Sequence, residues 1–282
     1  MTADTSVPVL INGVPEDRIS SLDRGLLYGD GLFETIAVAG GEPVFWSRHC
    51  ARLQSGCERL GIPCVDANRL AEEARGLLRD VDRCVLKIIV TRGTGGRGYR
   101  VPANPQPTRI IQRHPWPEYP ASCAGQGVRV RLCEQRLGSN PLLAGIKHLN
   151  RLEQVLARQE WDDPDIMEGL MADRQGNLIE GTMSNLLVVQ DRMLVTPDLG
   201  HCGVAGIVRA VVMELAEELG LPVAVRDLAM TALREADEVF LTNSVIGIWP
   251  VVRLGEHAWP HGEVTRELQE RLAGLHQGDD RW

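Results

Sequence analysis

"GIKHLNRLEQVLAR", residues 145–158, contains Lys147, one of only two lysines among the chain's 30 basic residues. Arginine is therefore the general surface cation of this protein. A retained lysine points to work that a guanidinium cannot do, such as imine formation through a deprotonatable amine. Asn150 followed three residues later by Glu153 reads as a capping box. It opens a helix over 150–161, with apolar Leu152, Val155 and Leu156 at helical spacing. Lys147 then lies in the short connection just ahead of a helix, where side chains face a cleft more often than a core. The other lysine, Lys87, sits mid-strand in "VLKIIV".

Working outward, 282 residues are enough for two medium lobes around sizeable cores. The formal charge of −8 excludes a non-specific nucleic-acid binder, which needs a basic face. No run approaches the roughly 20 apolar residues of a membrane helix. The start, "MTADTSVPVLINGVPEDR", lacks a basic segment followed by an apolar one, so a cytoplasmic protein is expected. Seven scattered cysteines without a CxxC pair indicate free thiols, with neither a disulfide framework nor a zinc or other metal site.

Strand and helix patterns alternate along the chain. "GLFETIAVAGGEPVF" reads as two strands joined at Gly40 and Gly41, and "SRHCARLQSGCERLGI" as a helix closed by Gly61. "DANRLAEEARGLLRDV" is a second helix capped by Asp66, and "RCVLKIIVTRG" a buried strand. The proline- and aromatic-rich "RHPWPEYPAS", residues 113–122, separates a small N-terminal lobe, 1–115, from a larger, strand-rich lobe, 122–282, that carries Lys147. The fold class is α/β, of the mixed α+β kind.

A pyridoxal phosphate site needs a lysine for the Schiff base, an acid facing the pyridine nitrogen, and a cradle for the phosphate. Glu180, opening "EGTMSN" at the end of a strand, can be that acid. "GVAGIVRAVVMELAEELG" offers a glycine-containing turn running into a helix, where the N–H groups of Ile207 and Val208 suit a phosphate. "LTNSV" offers Asn243 and Ser244 as a second set of phosphate-binding groups.

The succession "DRGLLYGDGLFET", "RL" at Arg52, "TRGTGGRGY", "GIKHLNRLEQ", "EGTMSN", "GVAGIVR" resembles the fold-type IV pyridoxal phosphate enzymes over nearly the whole chain. Within that family, "TRGTGGRGY" with "GIKHLNRLEQVLAR" is most similar to the 4-amino-4-deoxychorismate lyases. The Asn-Tyr pair of the branched-chain aminotransferases is replaced here by Asn150 and Arg151. The resemblance implies two lobes with pyridoxal 5'-phosphate between them, and a homodimer whose site borrows residues from the partner. It implies that Lys147 holds the cofactor and shuttles protons, that Glu180 pairs with the pyridine nitrogen, and that Arg52 binds phosphate alongside Ile207 and Val208. Val204 would pack on the ring. Arg97 and Tyr99 match positions that grip a substrate carboxylate in the D-amino-acid enzymes. Tyr99 replaces their histidine and Phe33 their tyrosine, which argues against D-amino-acid specificity.

The expected substrate is a small dianion, for which bidentate guanidinium groups are the natural clamps: Arg97 first, Arg92 second. Lys147 would take the proton from the amine-bearing carbon, the enolpyruvyl ether would leave, and the ring would become aromatic. Two alternatives stay open. One is a D-amino-acid or branched-chain aminotransferase of the same fold; the other is an α/β ligand-binding module without covalent chemistry.

Overall fold

The computed structural model describes residues 7–275. Residues 1–6, part of the stretch read for a leader, and 276–282, at the end of the expected second lobe, lie outside them. The chain divides into two compact units. Among the described residues, the first runs to Pro117 and includes Lys147–Asn150; the second comprises Glu118–Ile146 and residues 151–275. The change at Pro117/Glu118 falls in the proline-aromatic stretch. Lys147–Asn150, which the sequence places beyond the proline-aromatic stretch, pair through their backbone in the first unit.

The first unit is an antiparallel sheet of β1 (Val9–Ile11), β2 (Val14–Pro15), β3 (Gly31–Ala39), β4 (Glu42–Pro43), β5 (Arg83–Thr91) and β6 (Thr108–His114), in the order β2-β1-β6-β5-β3-β4. Three helices belong to it: α1 (Arg24–Tyr28), α2 (Trp46–Leu60) and α3 (Ala67–Leu78). The β3–β4 hairpin turns at Gly40 (φ 62) and Gly41 (φ 78), left-handed positions that glycine adopts without penalty. Gly61 ends α2 in the same conformation (φ 62), and the Asp66 carboxylate accepts the Asn68 N–H to start α3.

Because side chains alternate across a strand, β3 and β5 have two distinct faces. Leu32, Glu34, Ile36 and Val38, with Leu86, Ile88 and Val90, are buried on one. That is the face on which the helix residues Leu53, Cys57, Leu70 and Ala74 close the core. Burying each large aliphatic side chain there contributes about 1.5–3 kcal/mol. Phe33, Thr35, Lys87 and Ile89 point the other way and are half-buried.

The second unit is a ten-stranded mixed sheet. Its strands are β7 (Val128–Leu137), β8 (Ile166–Asp173), β9 (Asn177–Gly181), β10 (Asn185–Gln190), β11 (Met193–Thr196), β12 (Val223–Val225), β13 (Leu228–Ala229), β14 (Glu238–Asn243), β15 (Gly247–Leu254) and β16 (His257–Ala258). Its helices are α4 (Ser122–Gly125), α5 (Leu152–Arg158), α6 (Ile207–Glu218), α7 (Met230–Arg234) and α8 (Glu263–Leu275). Strand β7 runs parallel to both β8 and β15. Strand β9 pairs with β8 and also meets β10 at Glu180↔Asn185, so the path β10-β14-β15-β7-β8-β9 closes on itself. Leu170, Leu178, Leu186, Val188, Leu241 and Val251 fill its interior.

The capping box does not form. Helix α5 starts at Leu152 after Arg151, with no side-chain cap. Asn150 instead donates its amide to Gly29 O (3.1 Å), and Glu153 accepts the Gly138 N–H (2.8 Å). Both capping partners are drawn into contacts distant in sequence, so the helix is shorter than its pattern. Its apolar stripe faces outward: Leu152 is 75% exposed, and Val155 and Leu156 are also exposed.

Candidate functional site

Lys147 is placed by backbone pairing. Phe33 N–H donates to Lys147 O and Leu149 N–H to Gly31 O, both at 3.0 Å, and Leu32 bridges His148. This antiparallel register sets Lys147 opposite Phe33 and on the same face of the sheet. The Lys147 ammonium lies 4.4 Å from the Phe33 ring centroid. Lys87, reached through the β3–β5 register, lies 5.5 Å from the same centroid. The half-buried face of β3 thus carries both of the chain's lysines around one aromatic ring.

The opposite face carries a charged cluster that the sequence reading did not single out. Glu34, 1% exposed, accepts Arg52 Nε (2.9 Å) and Nη2 (2.5 Å) on its two oxygens, and shares a 2.6 Å hydrogen bond with His49 Nδ1. Burial pushes the Glu34 carboxyl up, but the Arg52 charge and the His49 and Arg52 hydrogen bonds outweigh it and hold it at about 2. Burial lowers His49; the Glu34 hydrogen bond and charge oppose this, and the Arg52 and Lys147 charges add to it, leaving it below the usual imidazole value. An ionised Glu34 beside a neutral His49 requires the proton on Nδ1. Arg52 commits its Nε–Nη2 edge to Glu34.

Both shifts destabilise the fold in acid. Glu34 is depressed, so its contribution, of order 3 kcal/mol, is present above about pH 4.5 and is lost as the pH falls toward 2. His49 is also depressed, so unfolding takes up a proton below about pH 6.5 and stability falls there too. The urea midpoint is expected to decline from about pH 6.5 and more steeply below about pH 4.5, with Glu34→Gln flattening the lower limb. A midpoint unchanged between about pH 7 and pH 3 contradicts the assignment.

Asp30 organises the neighbouring loops. Its carboxylate accepts Arg24 Nε (2.8 Å), Arg92 Nε (2.7 Å) and Arg92 Nη2 (3.0 Å). Arg92 spends its other donors on Leu60 O and Gly61 O, both at 2.7 Å, and is 5% exposed. Arg92, the second clamp expected, thus ties Asp30 to the end of α2. Arg97 is exposed, and Tyr99 is 84% exposed.

In the second unit the Glu180 carboxylate is 4% exposed and accepts the Val204 N–H at 2.8 Å. Val204 O accepts the Asn185 amide (2.8 Å), and Val204 pairs with Gly145, two residues ahead of Lys147 in the chain. Gly203 (φ 85) leaves room for Glu180; a Cβ there would lie 3.3 Å from Glu180 Oε2. Gly206 precedes α6 without side-chain cap, and a Cβ there would meet Asn185 Oδ1 at 1.9 Å. The Ile207 and Val208 N–H groups follow in the first turn, where a helix offers no internal acceptor.

Glu168, 1% exposed and also missed in the sequence, holds the 182–184 turn between β9 and β10. It accepts Thr182 N–H and Oγ1, Met183 N–H and Ser184 Oγ at 2.5–3.1 Å. Asn243 caps the β14–β15 turn through Val245 and Ile246 N–H and donates to Met183 O, so both ends of its amide are engaged. Ser244 sits in that turn, half-buried. Among the described residues no His/Cys/Asp/Glu group could hold a metal, and no helix is long and apolar enough to cross a membrane.

The family model described as amino-transferase class IV matches residues 31–254. The aminodeoxychorismate lyase of Vibrio harveyi is 36% identical over 93% of this chain and 98% of its own. A putative branched-chain-amino-acid aminotransferase of Methanocaldococcus jannaschii is 30% identical over 92% of this chain and 91% of its own. The crystal structure of 4-amino-4-deoxychorismate lyase from Pseudomonas aeruginosa superposes with a TM-score of 0.91 at 53% identity, covering 94% of this chain and 98% of that one.

Proposed function

This chain belongs to the class IV aminotransferase family, and from that premise we propose that it is a pyridoxal 5'-phosphate-dependent lyase converting 4-amino-4-deoxychorismate to p-aminobenzoate and pyruvate. One observation carries the choice of lyase over aminotransferase: identity to two proteins named as that lyase is 53% and 36%, against 30% to a putative branched-chain-amino-acid aminotransferase.

The residues present fit the cofactor. Glu180 is a buried carboxylate suited to a protonated ring nitrogen, the N–H groups at the start of α6 suit a phosphate, and the Arg52 guanidinium is by its own chemistry suited to one as well. When bound, the cofactor supplies an electron sink for the carbon from which the proton leaves. Lys147 would hold it covalently and, as a free amine, would be the base. Its amine takes the proton from the amine-bearing carbon, the bond to the enolpyruvyl oxygen breaks as the ring becomes aromatic, and the same lysine protonates the departing enolpyruvate to pyruvate. Atoms balance without a second substrate. Arg97, exposed on its loop, is the group we assign to a substrate carboxylate. Lys87, beside Phe33, adds a second cation to the Lys147 face.

We also read the protein as a cytoplasmic homodimer. Seven free thiols support a reducing compartment. Exposed Leu142, Leu152, Val155 and Leu156 support coverage by a second copy, with sedimentation as its test. Purified protein with pyridoxal phosphate is expected to give p-aminobenzoate and pyruvate in equal amounts with no 2-oxo acid added. Rapid amino transfer from D-alanine or a branched-chain amino acid, with no p-aminobenzoate formed, assigns the aminotransferase activity instead.

A further inference from the structure

An arginine that grips a carboxylate from a glycine-rich loop needs that loop held, because glycine leaves the backbone more freedom to lose than any other residue. Residues 94–99, Thr-Gly-Gly-Arg-Gly-Tyr, are held by α1 and the chain just before it. Arg24 N–H donates to Gly93 O (2.9 Å), Asp23 bridges Thr94, and Gly95 N–H donates to Leu22 O (3.3 Å). Beyond Arg97, Arg24 Nη1 donates to Gly98 O (3.0 Å) and Nη2 to Tyr99 O (3.3 Å). The Tyr28 hydroxyl accepts the Gly98 N–H (3.2 Å), and the Tyr28 and Tyr99 rings lie 5.4 Å apart at 58°. The Arg24 guanidinium also covers the Tyr28 ring at 4.9 Å.

Arg24 is only 4% exposed, and its Nε is pinned to Asp30, so its fork faces the loop and not solvent. The peptide groups directly after Arg97 are thus fixed on both their N–H and C=O sides, while the Arg97 side chain is exposed. We propose that Arg24 and Tyr28 are positioning residues that latch the 94–99 loop and so set the reach of Arg97 toward a substrate carboxylate. The inference rests on Arg97 being the carboxylate clamp of the lyase.

Tyr28→Phe keeps the ring and removes only the acceptor for Gly98 N–H; Tyr28→Leu removes both. Arg24→Lys keeps a charge on Asp30 but cannot span the two carbonyls. With holoenzyme and aminodeoxychorismate, KM is expected to rise several-fold in Tyr28→Phe and further in Tyr28→Leu and Arg24→Lys. In the Tyr28 variants kcat and pyridoxal phosphate affinity stay within about twofold, and amide exchange across 94–99 accelerates; loss of a single hydrogen bond sets that scale. Arg97→Ala raises KM with normal exchange. If Arg97→Ala raises KM but both Tyr28 variants leave it unchanged, the latch is overturned and the Arg97 assignment stands. If Arg97→Ala leaves KM unchanged, both are overturned. Parallel losses of kcat and cofactor affinity in Tyr28→Phe also overturn the latch, because they mark a purely structural role.

Discussion

Lys147→Ala is expected to reduce turnover by ~10⁴-fold or more. A positioned acid–base group contributes ~10²–10⁴-fold by itself, and the covalent hold on the cofactor goes with it. The backbone pairing of Lys147 O with Phe33 N–H does not need the side chain, so the fold should survive. Spectra and borohydride reduction give the readout: the wild type is labelled at Lys147, the variant not. The control is dictated by Lys87, whose ammonium lies 5.5 Å from the ring that Lys147 contacts at 4.4 Å. A reducible chromophore that persists in Lys147→Ala and disappears in the double variant with Lys87→Ala assigns the imine to Lys87 and removes Lys147 from that role.

Glu180→Gln is expected to lower kcat by ~10²–10³-fold, the range seen when one preorganised electrostatic group is removed from an active site. Glutamine keeps an oxygen for the Val204 N–H, now accepted by Glu180 at 2.8 Å, so the local structure should hold. What goes is the negative charge that keeps a ring nitrogen protonated. Cofactor affinity and kcat are measured on the same preparation. Wild-type kcat with the cofactor fully bound takes Glu180 out of the mechanism.

Legibility in the sequence followed the range of the interactions. The Gly40–Gly41 turn, the Gly61 end of α2 and the Asp66 cap of α3 are decided by neighbours a few residues away, and all three form as read. Asn150 and Glu153 carry an equally local signal, yet Gly29 O, 121 residues away, and Gly138 N–H outcompete the cap. Arg92 is likewise held by partners far away in sequence. Its sequence position says nothing of Leu60 O, Gly61 O or Asp30, which take four of its five N–H donors. Helix α8 buries Thr265, Leu268 and Leu272, a helical spacing visible in the sequence but not read there. Its cap is Glu238, 26 and 27 residues upstream of the N–H groups of Val264 and Thr265, and nothing local announces it. At the candidate site, the rarity of lysine and the position of Glu180 after a strand were readable. The Glu34–His49–Arg52 cluster was not, because it depends on α2 lying across β3.

The grouping of Lys147–Asn150 with the first unit sets an order on biosynthesis. When Pro117 leaves the ribosome, every strand and helix of that unit has been made, but β3 still has an unpaired edge: the Phe33 N–H and Gly31 O wait for residues 147 and 149. The nascent N-terminal half therefore cannot complete its hydrogen bonding until about thirty further residues of the next unit have been translated. Truncation after Pro117 leaves an open strand edge, the kind of surface that recruits other chains.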